Sequence, residues 1–339
     1  MDGIQVQAAA QGETVLFFFE SSLGEMAHHR TEKVVVLMKI GFIGAGKVGF
    51  ALGKYFCIHG IEVAGYYSRS IQSAAEAADF TGTAPYAAAE DLLSDSDVLF
   101  FTVPDDAVAS CYKQLCVRPI QGKIFCHTSG AMTAEEAFSG IEALGAFGYS
   151  VHPLFAVSDK LRSYSELTDV FFTLEGSGAQ RDFMLDWLLE AGLHVQLIDS
   201  AVKAKYHAAA AIVSNHVVAL FDEAQGLLAE CGFAPAAARQ ALGRIFTSNA
   251  RHVAEQGAAA ALTGPVQRGD MGTLAKHLAV LGSHEDRLLY LLLSRRLVKL
   301  AKIKNPAYDD TAIQKFLADE YDEVLALANS GRAGRKDEH

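Results

Sequence analysis

A short apolar strand followed at once by three spaced glycines constrains this chain more than any other feature. The run Lys39–Ile43 is typical of a buried strand, and the segment Phe50–His59 beyond the glycines has helical spacing. Gly44 permits a tight turn, Gly46 lets the backbone approach a pyrophosphate, and Gly49 lets the helix pack closely on the strand. Because a second strand follows within about 30 residues, the pattern predicts a dinucleotide-binding unit rather than a plain glycine turn.

The end of the second strand, Ile61–Tyr67, indicates which dinucleotide is bound. NAD-binding domains carry Asp or Glu there, whereas this chain has Ser68, Arg69 and Ser70. The Arg69 guanidinium can bind a 2′-phosphate with two parallel hydrogen bonds, and the serine hydroxyls can donate to it. The sequence therefore favours NADP (NADPH) over NAD. The alternative is that Arg69 is a solvated residue that begins the next helix.

A second loop follows the apolar run Asp97–Thr102. In open α/β sheets the ligand lies beyond the carboxyl ends of the strands, so this loop is expected to border the nicotinamide half of the cofactor. Asp105 and Asp106 have a simpler interpretation as N-caps of the next helix. Lys47 either adds positive charge near the pyrophosphate or points into solvent. The predicted cofactor-binding residues of the two loops are Gly44, Ala45, Gly46, Lys47, Val48, Gly49, Thr102, Val103 and Pro104.

Composition excludes several classes of partner. The 339 residues are 50% apolar and 20% charged, which is enough for a sizeable core divided over two domains. The net charge of -11 repels nucleic acid and anionic membranes, so neither is expected as a partner. The five cysteines form no CxxC pair and no metal-ligand spacing, which predicts reduced thiols, no metal site and a cytoplasmic protein. No apolar run approaches the roughly 20 residues of a membrane span.

The spacing of apolar residues divides the chain into two domains. From 38 to 198, strand-like runs alternate with helical segments, which predicts an α/β fold: a doubly wound Rossmann domain with a parallel sheet. From 199 to 330, Ala- and Leu-rich stretches predict an all-α domain whose apolar faces would be buried in a homodimer. Residues 1–37 are interpreted as a disordered leader or a misassigned start before Met38, and residues 331–339 as a frayed tail.

Two segments at predicted strand ends carry candidate catalytic residues. His127 and Ser129 follow one strand, and His152 lies at the end of the next. A histidine there could act as a general acid or polarise a carbonyl, and Ser129 could hydrogen-bond the reacting oxygen. His127 is assigned to substrate binding. The alternative is that both histidines satisfy backbone groups of the loops.

A third candidate group lies on one predicted helix. At about 100° per residue, Lys203, His207 and Ser214 fall within roughly 40° of one another, and Asn215 lies to one side. The rest of this helix is apolar, so a polar stripe needs partners or a water-filled cleft. The alternative is that Lys203 belongs to a solvated first turn.

A loop in the helical domain carries one further candidate. Arg268 could hold a substrate carboxylate with two hydrogen bonds. The alternative is an interhelix turn in which Asp270 caps the next helix.

The motifs together resemble a known family. HTSGAM, HPLFAV, VKAKYHAAAAIVSNH and LTGPVQRGD, with the glycine loop, are similar to bacterial Rossmann-like proteins with a C-terminal helical domain of unknown function, often labelled NADP oxidoreductases. The resemblance covers residues 38 to 305. The layout is distantly similar to pyrroline-5-carboxylate reductase, deazaflavin-dependent NADP reductases and β-hydroxyacid dehydrogenases, and His152-Pro153 to prephenate dehydrogenase. In β-hydroxyacid dehydrogenases the lysine and asparagine are one helical turn apart, whereas Asn215 follows Lys203 by twelve residues.

These features predict an NADP-dependent oxidoreductase that moves a hydride between NADP(H) and a small carbonyl, imine or hydroxy compound bound in an interdomain cleft. The predicted roles are proton donor for His152 or His207, polariser for Lys203 and Ser129, and orienting group for Asn215, while Ser214 and Arg268 bind substrate. One alternative is oxidation of a ring hydroxyl, as in prephenate dehydrogenase. Another is an NADP-binding sensor or scaffold without catalysis.

Overall fold

The computed structural model describes residues 38–333, with side chains to residue 328. The predicted leader at 1–37 and the tail residues 334–339 lie outside the described residues. The chain forms two compact units that divide between Val217 and Val218. Among the described helices, none combines the length and apolar character needed to cross a membrane.

The first unit is built on one eight-stranded sheet with the strand order β3-β2-β1-β4-β5-β6-β7-β8. The first six strands in this order follow the 3-2-1-4-5-6 arrangement of a Rossmann fold, in which all neighbours are parallel. The strands are β1 (Ile40–Ile43), β2 (Val63–Tyr67), β3 (Ala84–Tyr86), β4 (Val98–Phe101), β5 (Ile124–His127), β6 (Phe147–Pro153), β7 (Phe171–Gly176) and β8 (His194–Leu197).

Strand β7 departs from the predicted parallel sheet, because it pairs antiparallel with β6. A parallel return requires a crossover connection, usually through an α-helix. The connection between β6 and β7 carries only a 3₁₀ segment, Ser163–Asp169. Without a crossover helix the chain turns back beside the strand that it has left.

Apolar layers cover both faces of the sheet because successive strand residues alternate sides. On one face Phe42, Phe100 and Cys126 join a core with helices α1 (Lys47–Ile58) and α2 (Ile71–Thr81). The opposite face carries Phe101, Phe125 and other residues that pack with the following helices. These are α3 (Ala89–Ser94), α4 (Asp105–Leu115) and α5 (Ala134–Ala137).

Of the remaining helices, α6 connects β7 to β8 and the others follow the sheet. Helices α12 to α14 share an apolar core that includes Leu274, Leu291 and Leu317. The α/β domain followed by helices confirms the predicted fold class. The helices are α6 (Arg181–Glu190), α7 (Lys203–Ala211), α8 (Val217–Glu230), α9 (Pro235–Gln256), α10 (Ala258–Ala261), α11 (Pro265–Arg268), α12 (Met271–Val280), α13 (His284–Lys304) and α14 (Thr311–Ala333). A π turn, Ile212–His216, links α7 to α8 within an otherwise continuous helical run.

Candidate functional site

The glycine loop is joined to the end of β4 through Thr102. The Thr102 hydroxyl donates to the Gly44 carbonyl over 2.9 Å. Gly44 has φ +110°, and a Cβ there would lie 2.8 Å from the Thr102 carbonyl oxygen. A Cβ on Gly49 would lie 2.6 Å from Thr102 Oγ1. Both glycines are therefore required by close packing between the loop, the first turn of α1 and β4.

The N-terminus of α1 is open to an anion. Gly46 is the N-cap residue, and no side chain caps the helix. Gly46 and Lys47 are exposed, while Ala45 and Val48 are half-buried. Free N–H groups and the helix dipole make such a terminus suitable for a phosphate.

The residues after β2 have mixed roles. Ser70 caps α2, since its hydroxyl oxygen accepts from the Ser73 N–H over 3.3 Å. Arg69 is exposed. Burial raises the pKa of the Cys111 thiol on α4, and the nearby positive charge of Arg69 opposes this rise. The guanidinium is thus available at the carboxyl edge of the sheet. Val103 and Pro104 lead directly into α4, with Pro104 at the N-cap position.

A row of buried polar side chains crosses three strands on one face of the sheet. His127 lies opposite Ser150, and Ser150 lies opposite Glu175 on β7. All three are buried, as is Lys203 at the start of α7, which is 1% exposed. The Lys203 ammonium donates to Ser150 Oγ over 2.5 Å, and Ser150 donates to the Ser129 carbonyl over 3.3 Å. The row therefore surrounds a buried positive charge.

Carboxylates oppose the cost of burying this lysine. Burial lowers the pKa of Lys203, while Glu175, Asp105 and Glu136 oppose the change. Burial raises the pKa of Glu175, which the Ala134 N–H opposes by donating to Oε2 over 3.0 Å. A buried charge needs such partners, since an uncompensated ion in the interior costs several kcal/mol.

His127, which the sequence predicts to bind substrate, lies inside the turn that follows β5. The ring is fully buried, and Nδ1 accepts from the Ser129 N–H over 3.2 Å. Burial, aided by the Lys203 charge, lowers the pKa of His127 to about 3. His127 is therefore a neutral side chain that holds the turn after β5, and its Nε2 has no hydrogen-bond partner among the described residues.

His152 and His207 lie together beside Gly130. A Cβ on Gly130 would lie 2.8 Å from His152 Nε2 and would collide with His207 Nδ1. The two ring centroids are 5.8 Å apart, and His152 Nδ1 lies 2.8 Å from the Tyr206 hydroxyl. Burial, then the charges of Lys203 and His207, lower the pKa of His152 to about 4. His152 is therefore neutral at pH 7, whereas a histidine that acts as an imidazolium acid has to be protonated.

Ser129 is held by a carboxylate. Its hydroxyl donates to Asp105 Oδ2 over 2.6 Å and accepts from the Met132 N–H over 3.1 Å. Asp105, expected as a helix cap, thus orients a predicted catalytic residue from the first turn of α4. Asp105 thus engages the single Ser129 proton, and the Met132 N–H engages the hydroxyl oxygen.

The polar cluster around Lys203 consists of His127, Ser129, Ser150, His152, Glu175, Lys203, Tyr206 and His207. The structure does not bring Ser214 and Asn215 into this cluster. Both are exposed in the π turn, where the Ser214 hydroxyl lies 2.8 Å from the Ala210 carbonyl and 3.0 Å from Asn215 Oδ1. A polar stripe that includes Ser214 requires α-helical spacing from Lys203 onwards, and the π turn changes that spacing. Arg268 ends α11 in the second unit, where Asp270 caps α12 by accepting from the Thr273 N–H over 3.0 Å.

Sequence reasoning missed Ser150, Glu175 and Tyr206 as members of the cluster. Ser150 stands two residues before His152, so strand alternation places both on one face. Tyr206 precedes His207 on α7. Glu175 carried no sequence signal, because its position depends on the antiparallel register of β7. Among residues 38–328, no cluster of three or more His, Cys, Asp or Glu could hold a metal ion.

Two family models match the chain. Residues 27–153 match a Rossmann-like domain, and residues 170–297 match a domain of unknown function, DUF2520. The chain therefore carries a Rossmann-like domain followed by a DUF2520 domain. The family resemblance predicted from the sequence motifs is thereby confirmed.

Solved structures share this fold. A protein from Thermotoga maritima is 23% identical, with a TM-score of 0.63 over 78% of this chain and 99% of its own. A candidate NADP oxidoreductase from Bacteroides fragilis is 22% identical, with a TM-score of 0.60 over 77% and 98%. A reductive aminase from Aspergillus terreus, in complex with NADPH and ethyl-5-oxohexanoate, is 14% identical, with a TM-score of 0.52 over 87% and 95%. No curated protein matches the chain.

The buried His127 predicts a loss of stability in acid. The unfolded chain takes up a proton on this ring below its ordinary pKa of 6.5, whereas the folded state stays neutral down to about pH 3. Acidification therefore favours the unfolded state over this window. In His127→Asn, the side-chain oxygen can still accept from the Ser129 N–H. Between pH 7 and pH 5 we expect the free energy of unfolding of this variant to fall by about 2 kcal/mol less than that of the unchanged chain. Urea unfolding at both pH values measures this, and equal losses would contradict it.

Proposed function

We propose that this protein is an NADP-dependent oxidoreductase that transfers a hydride between NADP(H) and a small carbonyl, imine or hydroxy compound. One observation carries the proposal: the uncapped N-terminus of α1 and the polar cluster around His152 follow strands of the same sheet at its carboxyl edge. Ligands of open α/β sheets bind at that edge. Arg69 at the end of β2 supports NADP over NAD, because a guanidinium fits a 2′-phosphate.

The nicotinamide would donate the hydride as NADPH or accept it as NADP, and the protein's part is to bind and orient. The residues of the glycine loop would hold the pyrophosphate, and Thr102 would border the nicotinamide. The imidazoles of His152 and His207 converge beside Gly130, where a substrate oxygen or nitrogen would be hydrogen-bonded. Lys203 is too buried to touch substrate, so we assign it to the electrostatics of the site through Ser150. Ser129, Ser214, Asn215 and Arg268 keep their predicted roles as proposals.

The cofactor assignment is tested by calorimetric titration with NADPH and, separately, with NADH. We expect NADPH to bind tightly and Arg69→Ala to weaken it by about 1.5 to 3 kcal/mol, because a hydrogen-bonded charge pair with the 2′-phosphate is lost. Arg118→Ala is the matched control, since Arg118 is exposed beyond the C-terminus of α4. Equal affinity of Arg69→Ala and the unchanged chain for NADPH would refute the phosphate role. Binding of neither nucleotide would remove the basis of the oxidoreductase proposal.

The catalytic assignment is tested on substrates found by screening carbonyls and imines with NADPH, and hydroxy compounds with NADP. His152→Gln and His207→Gln are expected to lower kcat/KM by about 100-fold or more, as is typical when a group that transfers or shares a proton in the transition state is removed. His59→Gln is the control, since His59 is exposed after α1. Unchanged kcat/KM in both variants would overturn the assignment. Activity only on ring hydroxyls would favour the prephenate-dehydrogenase alternative, and cofactor binding without turnover would favour a sensor or scaffold.

We also propose that the protein forms a homodimer through the helices that follow the sheet. No residue of α8 is buried, and α9 buries only Ala238 over 22 residues. Large apolar side chains are exposed there, including Val218 at 67% and Ile245 at 68%. An apolar surface of this kind is typical of an interface between identical chains.

Light scattering at micromolar concentration tests the dimer. The unchanged chain is expected to have the mass of two copies, and Ile245→Asp to shift it towards one copy, because a buried carboxylate at an interface is unfavourable. Val117→Asp is the control, since Val117 is 78% exposed beyond α4. A monomeric mass for the unchanged chain would contradict the proposal.

A further inference from the structure

Tyr206 lies against His152 but has no role in the function proposed above. Its hydroxyl is 2.8 Å from His152 Nδ1, and the two rings meet edge to face at 87° with centroids 5.6 Å apart. Burial raises the pKa of Tyr206, so the phenol keeps its proton at neutral pH. The contact is therefore a hydrogen bond between two neutral groups.

A neutral imidazole has one N–H donor and one acceptor nitrogen, so its hydrogen-bond partner decides which of the two nitrogens carries the proton. The charged and titratable groups around His152 are Lys203 and His207 on α7 and His127 on β5. None of them hydrogen-bonds the ring. The hydroxyl of Tyr206 is the one hydrogen-bond partner that His152 has among the described residues, and it can either donate or accept.

The acid and base strengths of the two groups point to the direction of this hydrogen bond. A phenol O–H is a stronger acid than the N–H of a neutral imidazole, and an imidazole nitrogen is a stronger base than a phenol oxygen. Thr173, which lies opposite His152 in the register of β6 and β7, has no hydrogen-bond partner for its buried hydroxyl among the described residues and does not compete for the contact. The favoured arrangement over the 2.8 Å contact therefore has Tyr206 donating its proton to His152 Nδ1.

We propose that Tyr206 is a positioning residue that donates to His152 Nδ1 and so places the ring proton on Nε2. Nε2 is the nitrogen beside Gly130, facing the same point as His207 Nδ1. The buried Nδ1 of His207 has no hydrogen-bond partner among the described residues. His152 therefore presents an N–H donor at the place where the proposed reaction needs a substrate contact.

This arrangement narrows the substrate class and rests on the proposed function. An Nε2–H donor binds a lone pair, which a carbonyl oxygen offers and an iminium nitrogen lacks. In the other tautomer Nε2 would be an acceptor and would suit an iminium N–H. The site is thus built for reduction of a neutral carbonyl, whose oxygen gains negative charge as hydride arrives and is stabilised by the donor.

Nitrogen-15 NMR of the full-length protein with labelled histidine tests the tautomer without substrate. The His152 signals are assigned by their loss in His152→Gln. At pH 7 the unchanged chain is expected to show a protonated Nε2 and an unprotonated Nδ1. A proton on Nδ1 would overturn the proposal, even if the protein proves to be a reductase. Because this readout needs no turnover, failure of the proposed function leaves it intact.

Tyr206→Phe tests the donor by its effect on the tautomer. Loss of the donor removes the contact that keeps Nδ1 unprotonated, so the nitrogen-15 signals of His152 at pH 7 are expected to show a mixture of the two tautomers. If they still show a proton on Nε2 alone, Tyr206 does not position the ring. Tyr164→Phe is the matched control, since Tyr164 packs on Phe80 and is expected to leave the His152 signals unchanged. If Tyr206→Phe does not fold, the tautomer of the unchanged chain decides the question.

The substrate class is tested separately. In the unchanged chain, carbonyl compounds are expected to react with NADPH and preformed cyclic iminium ions to react at least tenfold more slowly. Tyr206→Phe is expected to lower kcat/KM for the carbonyl about tenfold while the affinity for NADPH stays the same. Faster reduction of iminium ions than of carbonyls would overturn the substrate class.

Discussion

The burial of a single ammonium group organises the chemistry of this protein. Lys203 is 1% exposed. Its charge is tolerated because Ser150 accepts a hydrogen bond from the ammonium group and because the negative charges of Glu175 and Asp105 stabilise it. These partners come from β6, β7 and α4, so the cost of burying the charge ties three elements to the start of α7. Besides burial, the same charge contributes to the pKa shifts of His127 and His152 and opposes the rise in the pKa of Glu175.

The neighbouring histidines take their character from that environment. Burial and the Lys203 charge keep His127 and His152 neutral at physiological pH, with pKa values of about 3 and about 4. A neutral imidazole does not act as a strong acid, but it offers a donor and an acceptor of defined direction. The site is therefore better suited to polarising a bound oxygen than to donating a proton from a charged imidazolium. This agrees with the proposed role of Tyr206, which is to fix which nitrogen of the His152 ring carries the proton.

The cofactor edge follows a different constraint, close packing of backbone. Gly44 and Gly49 approach Thr102 so closely that neither position has room for a Cβ. This contact holds β1, the first turn of α1 and β4 together and leaves the helix N-terminus uncapped. Because parallel strands end at one edge, the same sheet that exposes this terminus also carries the His152 cluster.

The sequence by itself determined the glycine loop, the alternation of strands and helices, and the histidines at strand ends, because these depend on local spacing and turn geometry. It also determined Arg69 as the candidate for phosphate binding. The antiparallel placement of β7, the entry of Glu175 into the cluster and the burial of His127 were decided by the tertiary structure alone. Each depends on the register between strands distant in sequence, and a one-residue change of register would turn those side chains to the other face.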